Sequence, residues 1–184
     1  MVGASALKRL GWRRGAVIAA VFALVALALH GRRPDPGVVP FETAGVMANL
    51  APASATEVRL LAGEQTWRFL RAPNGTWRRI APVPAAEADP TPAVENGLRF
   101  LHVSAPQRVM TRDEFDGVPL REYGLDPPRY VVSVSDAEGT SFSIAFGWAN
   151  TQGLAQYARV ADRDELVLLP RFTSEPWEAL LASP

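Results

Sequence analysis

After residue 57 the chain is written in short runs of alternating apolar and polar positions, the period-2 signature of half-buried β-strands. Glu57 to Leu61, Thr66 to Ala72 and Thr76 to Ile80 form three such runs, rich in Val, Leu, Thr, Trp and Phe and punctuated by Gly63 and by Asn74-Gly75. They predict a three-stranded meander. The Asn-Gly pair predicts a type I′ turn, in which both central residues take positive φ. Asn74-Gly75-Thr76 is also a glycosylation sequon, but the hairpin explains the residues better. Gln107 to Met110 reads as a further strand. Later, Tyr130, Val132 and Val134 alternate with Val131, Ser133 and Ser135, and Phe142, Ile144 and Phe146 with Ser141, Ser143 and Ala145. Asp136 to Thr140 turns between these two runs. Gln156 to Val160 and Glu165 to Leu169 make another hairpin through residues 161–164.

The period changes to that of a helix in two places. Val94, Leu98 and Leu101 fall on one face, with Ala93 and Gly97 beside them. Asp89 is positioned to cap this helix and Pro90 suits its first turn, while Glu95, Asn96 and Arg99 are expected to face water. Ser174 to Leu181 predicts a short closing helix capped by Ser174, with Trp177, Leu180 and Leu181 on one face. The expected fold class is α+β: a mainly antiparallel sheet with one covering helix and a short C-terminal helix, preceded by a single transmembrane helix.

That last element rests on a different pattern. Ala16 to Leu29 carries no polar side chain, and the run is flanked by Lys8, Arg9, Arg13 and Arg14 before it and by Arg32 and Arg33 after it. Fourteen residues span about 21 Å as a helix, against about 30 Å of hydrocarbon. Either the run is a short anchor, extended by Leu10, Trp12, Gly15 and snorkelling arginines, or it is the apolar core of a signal peptide cut after Ala28. The large Leu29 and the arginines just beyond that point favour the anchor. The basic excess on its amino-terminal side keeps that end cytoplasmic and places the rest of the chain across the membrane. The composition, heavy in Ala, Arg and Pro with Lys8 the only lysine, has the character of a GC-rich bacterial genome, so the expected location is a bacterial inner membrane with a periplasmic domain. Residues 1–30 are then flank and anchor, 31–56 a linker with four prolines and three glycines, and 57–184 the domain. Within the linker, Phe41 to Leu50 is either a short amphipathic helix or a loop that lays Val46, Met47 and Leu50 on the domain; the loop is the better reading.

Charge and chemistry narrow the function classes. The chain's 19 basic residues include six before position 34, where no acidic residue falls, so 34–184 hold 13 basic against 19 acidic groups, a net charge of −6. That argues against a nucleic-acid partner. Without cysteine there is no lipobox, disulfide, thiolate nucleophile or thiolate metal site. His30 and His102 stand apart, with no metal-binding spacing. Asp113, Glu114 and Asp116 fit neither a calcium loop nor a glycosidase pair and read as a solvated loop, as do Asp162, Asp164 and Glu165. No serine-hydrolase elbow, P-loop or dinucleotide fingerprint occurs. No catalytic, cofactor or metal residue is therefore assigned. For protein contact, Trp67, Trp77, Arg78 and Arg79 form one candidate face and Trp148 another, although strand alternation equally places Trp67 and Trp77 in the core.

The most distinctive local sequence is Pro119-Leu120-Arg121-Glu122-Tyr123-Gly124-Leu125-Asp126-Pro127-Pro128. It predicts one helical turn stopped by a left-handed Gly124, with Leu125 folded back and Asp126 extended before proline. Tyr123 and Leu125 become core plugs. With the Ala88-Asp89 helix start, Phe146-Gly147 and Tyr157-x-Arg159, this Tyr123, Gly124, Leu125, Asp126, Pro127, Pro128 corner resembles the family of unknown function DUF4340 over roughly Glu57 to Leu169. The resemblance implies a membrane-anchored bacterial protein, in some cases an auxiliary component beside ABC-type transporters of gliding motility. It supplies no catalytic residue. The expected function is thus a non-catalytic accessory or stabilising subunit, with the bilayer bound through Ala16 to Leu29 and a membrane-protein partner. The alternatives are a periplasmic peptide- or glycan-binding module and a hydrolase built on Asp113 or Asp116.

Overall fold

The computed structural model describes residues 45–83 and 88–183. The apolar run Ala16 to Leu29, with the anchor and the orientation expected of it, and the linker through residue 44 lie outside the described residues. Among the described residues no helix is long and apolar enough to cross a membrane.

One antiparallel sheet organises the domain, as expected of an α+β chain. Its strands are β1 (Ala55–Ala62), β2 (Gln65–Arg71), β3 (Trp77–Ala81), β4 (Arg108–Met110), β5 (Tyr130–Asp136), β6 (Ser141–Ala149), β7 (Ala155–Val160) and β8 (Leu166–Pro170). They lie in the order β3-β2-β1-β5-β6-β7-β8-β4. The meander therefore joins the second half of the chain through β1 and β5, where Leu60 sits opposite Val132 and Val58 opposite Val134. One face of the sheet is covered by helix α1 (Thr91–Val103) and helix α2 (Glu175–Ala182). Val58, Leu60, Phe69, Val132, Val134, Ile144 and Phe146 meet Val94, Leu98, Leu101 and Trp177 there in a single buried cluster.

The two helices pack where α1 has no side chain. A Cβ on Gly97 would overlap the six-membered ring of Trp177, so the glycine costs helix propensity but lets the fully buried indole lie against the α1 backbone. On the other face, among the described residues, the long connection from β4 to β5 covers one half of the sheet. Phe115, Leu120, Tyr123 and Leu125 from that connection pack with Met110, Leu166, Ala145 and Tyr157.

Four local expectations are corrected. The domain begins before residue 57: Ala55 and Thr56 belong to β1, and Val46, Met47 and Leu50 are buried in the main cluster. They do so as a turn, the loop reading, with the Met47 N–H bonded to Leu101 C=O at 3.0 Å. The Asn74-Gly75 turn is not type I′, since Gly75 alone has positive φ, at 85°. Pro73 fixes a negative φ, so residues 72–75 close a turn through Gly75 N–H to Ala72 C=O, and Gly75 supplies the left-handed residue of a three-residue hairpin loop. Glu95 does not simply face water. It accepts from the Trp77 indole N–H at 2.7 Å and from Arg71 at 2.6 Å, because the edge of α1 abuts β3. Finally, Ser174 makes no side-chain cap on α2; its hydroxyl donates to Arg171 C=O. Asp89 does accept from the first-turn Thr91 N–H, at 2.9 Å, although Pro90 occupies the cap position.

Candidate functional site: the corner and the open half of the sheet

The corner forms as its residues dictate. Leu120–Tyr123 make one 3-10 turn, Gly124 takes φ 69°, and the Leu125 N–H reaches back to Leu120 C=O at 3.0 Å. Asp126–Pro127 is a cis peptide bond. The turn then lands on β6 at two further bare positions. Gly124 lies beneath the Trp148 indole, whose nearest atom would be 2.6 Å from a Cβ there, and Gly147 lies beneath the Tyr123 carbonyl. Leu125 enters the second cluster, and the Tyr123 ring meets Tyr157 edge-on at 5.0 Å. Tyr123 and Leu125 are the plugs expected of them.

Behind the corner sits a polar junction. Gln156, fully buried, donates to Gly147 C=O at 2.9 Å and accepts from Arg171. Arg171 also reaches Ser174 and pairs through both terminal nitrogens with Glu178, and that carboxylate raises the Arg171 pKa. The neighbouring Tyr130 hydroxyl is pushed up chiefly by burial, with Glu178 adding to the effect. These bonds tie β6, β7 and α2 together, while the Tyr130 hydroxyl beside them is buried with no hydrogen-bond partner among the described residues.

The contact residues named from sequence divide. Trp67 and Trp77 are core residues, so they take the alternation reading. Arg79 is half-buried and donates to Ser183 C=O, whereas Arg78 is exposed. Trp148 remains 52% exposed, with the Arg129 guanidinium 5.4 Å from its ring. Asp113 and Glu114 cap a short turn at Thr111, and Glu114 pairs with Arg108 at 2.6 Å. That partner holds the Glu114 carboxyl below its ordinary range. Asp116, Asp162 and Asp164 are exposed, and His102 is engaged with Met47 C=O through Nδ1. Among the described residues no three His, Cys, Asp or Glu side chains are grouped to hold a metal ion.

The feature that sequence reasoning missed is the half of the sheet that none of the described residues covers. Across β2, β1, β5 and β6 one ladder row reads Arg68, Arg59, Ser133, Ser143. Like charges directly opposite each other on neighbouring strands repel; here both arginines bond the same Glu57 oxygen, at 2.6 and 2.9 Å. The Ser133 and Ser143 hydroxyls are 3.1 Å apart. The rows on either side carry Leu70, next to Arg78, and Leu61, next to Val131. At the border with the corner, Leu125, Val131, Ser143, Ala145, Arg159 and Ala161 line a cleft of about 290 Å3.

No family model, curated protein or solved structure matches the chain. The face's own geometry defines what it can do: it offers several fixed donors, a surplus of positive charge and exposed aliphatic side chains, on rigid strands. Its signal in the sequence was the interleaving of Glu57, Arg59 and Leu61 with the buried Val58 and Leu60, but only the register brings Arg68 and Ser133 beside Arg59.

Glu57 supplies a pH-dependent link. Its carboxyl lies below the ordinary glutamate range because Arg59, and then Arg68, donate to it. A depressed folded-state value means stability fully present above the unfolded value and lost as pH falls through the folded one. Glu57→Gln is expected to lower unfolding free energy by about 0.5–1 kcal/mol at pH 7, and urea titrations repeated at falling pH should show that difference vanish. A difference that stays constant down to pH 3 would mean that the pairing contributes nothing.

Proposed function

We propose that this chain is a non-catalytic, membrane-anchored extracytoplasmic subunit that assists or stabilises a membrane protein complex. The reading is supported by the basic-flanked apolar run Ala16 to Leu29 and by the resemblance of the Tyr123 to Pro128 corner to DUF4340, which adds the transporter association. The observation that carries it is the half-face of the sheet left uncovered among the described residues, where Arg59, Arg68, Arg78, Leu61 and Leu70 lie together at the surface. Arginine and apolar side chains on a rigid surface are the composition of protein contact sites.

The test is purification of the full chain, tagged at its carboxy terminus, from native membranes in mild detergent, with the intact mass measured on the same sample. A full-length mass with stoichiometric co-purifying protein is expected. A mass beginning near Leu29 with no partner would overturn the anchored-subunit reading in favour of a released binding protein.

A further inference from the structure

We infer that the uncovered half-face docks an extended acidic segment of a protein partner, with carboxylates on Arg59 and Arg68 and an acidic side chain reaching Arg159 in the adjoining cleft. The inference rests on the accessory-subunit reading and names the chemistry of its partner.

Three observations converge on that occupant. The first is charge. Residues 34–184 carry a net −6, yet the Arg68-Arg59 pair shares the single carboxylate of Glu57 and so retains one excess positive charge, with exposed Arg78 in the next row, opposite Leu70. Among the described residues Arg159 is paired with Asp164 alone, at 3.7 Å and largely in solvent. A net-negative domain with a local basic strip is repelled at long range by an anionic bilayer or nucleic acid and attracted at short range by a few well-placed carboxylates.

The second is preorganisation. Glu57 is 17% exposed in its side chain and holds both guanidinium groups, so their rotamer freedom is already restricted before a partner arrives. An incoming carboxylate then meets ordered, planar donors, the arrangement that suits carboxylate recognition best. Ser133 and Ser143 continue the row with hydroxyls that can donate to the same chain.

The third is shape. Four strands about 4.8 Å apart make the Arg68-Arg59-Ser133-Ser143 row about 14 Å long, the reach of four to five extended residues at about 3.3 Å each. Leu61 and Leu70, 44% and 38% exposed, flank the row on opposite sides. The row runs into the 290 Å3 cleft, whose wall is Leu125 of the corner and which Arg159 also lines. The corner thereby acquires a role besides packing: it bounds the site.

The probe is a fluorescein-labelled (Glu-Leu)4 peptide titrated into the full-length protein in mild detergent, with (Lys-Leu)4, phosphatidylglycerol vesicles and sedimentation of the protein alone as comparisons. Saturable binding of the acidic peptide, weakened by salt and reduced at least tenfold by the double substitution Arg59→Ser/Arg68→Ser, is expected. Glu57→Gln removes a competing carboxylate together with the restraint it places on the two arginines, opposing effects that should leave binding much closer to that of the natural chain than to that of the double substitution. Equal weakening by Glu57→Gln would show that the trio only maintains the fold and would overturn the inference. So would preference for vesicles, self-association abolished by the same double substitution, or failure to bind the acidic peptide. In native membranes, retention of the co-purifying protein by the Arg59→Ser/Arg68→Ser chain removes this face while leaving the accessory-subunit reading intact. A natural chain that purifies alone removes that reading and the inference with it.

Discussion

Replacing Trp177 with alanine is expected to lower the unfolding free energy by about 3–5 kcal/mol, the range for truncating a fully buried aromatic side chain. Trp177 has no exposed surface, and its ring fills the space left by Gly97 between α1 and α2. No side chain at the facing position stands ready to collapse into the hole, because Gly97 has none. Domains of this size are stable by about 5–15 kcal/mol, so the substitution removes a large share of the margin. Trp177→Phe is expected to cost less: it keeps an aromatic ring in the core, although too short to reach Gly97 as the outer indole ring does, and deletes an indole N–H that is buried without a hydrogen-bond partner. Urea unfolding of the three chains decides the matter. Alanine costing less than about 2 kcal/mol would show that Trp177 does not hold α1 and α2 together.

The Gly97–Trp177 contact also shows where sequence stopped being sufficient. Helix α1 was legible because Val94, Leu98 and Leu101 repeat at helical spacing, and the strands because Tyr130, Val132 and Val134 alternate with smaller polar neighbours. Local periodicity fixes which face of an element is apolar. It does not say which element lies opposite. Gly97 reads in sequence as a weak helix position, and only the approach of α2 explains it. The same holds for β1: its pairing with β5, across the whole of β2, β3, α1 and β4, creates the Arg59–Ser133 neighbours that no local rule anticipates. Asn74-Gly75 departs from expectation for a nearer reason. The preference of that pair for a type I′ turn yields to Pro73, whose ring fixes its own φ and shifts the loop to a different register. Glu95 departs because its side of α1, polar by pattern, meets the Trp77 indole and Arg71 at a sheet edge. The corner was legible because Gly124 and two prolines constrain the backbone locally.

Gly147→Ala is the second substitution expected to be severe, at about 3 kcal/mol, the upper end of ordinary overpacking. A methyl group there would overlap the Tyr123 carbonyl and press on the Leu125 side chain. The first is backbone held by the Gly124 and Leu125 hydrogen bonds, so it cannot swing aside as a side chain would. Relief requires the corner to lift from β6, taking Leu125 out of the second cluster and disturbing the Gln156 bond to Gly147 C=O. Gly124→Ala makes the informative comparison. Its Cβ would meet the Trp148 indole, a side chain that is half in solvent and free to move, although its φ of 69° adds strain. Trp148→Ala should therefore recover part of the loss in Gly124→Ala, while Leu125→Ala should recover none in Gly147→Ala, since the obstructing atom is backbone. A Gly147→Ala chain within about 1 kcal/mol of the natural one in urea unfolding would show that the corner tolerates displacement, and that the wall it gives the cleft at Leu125 is not rigid.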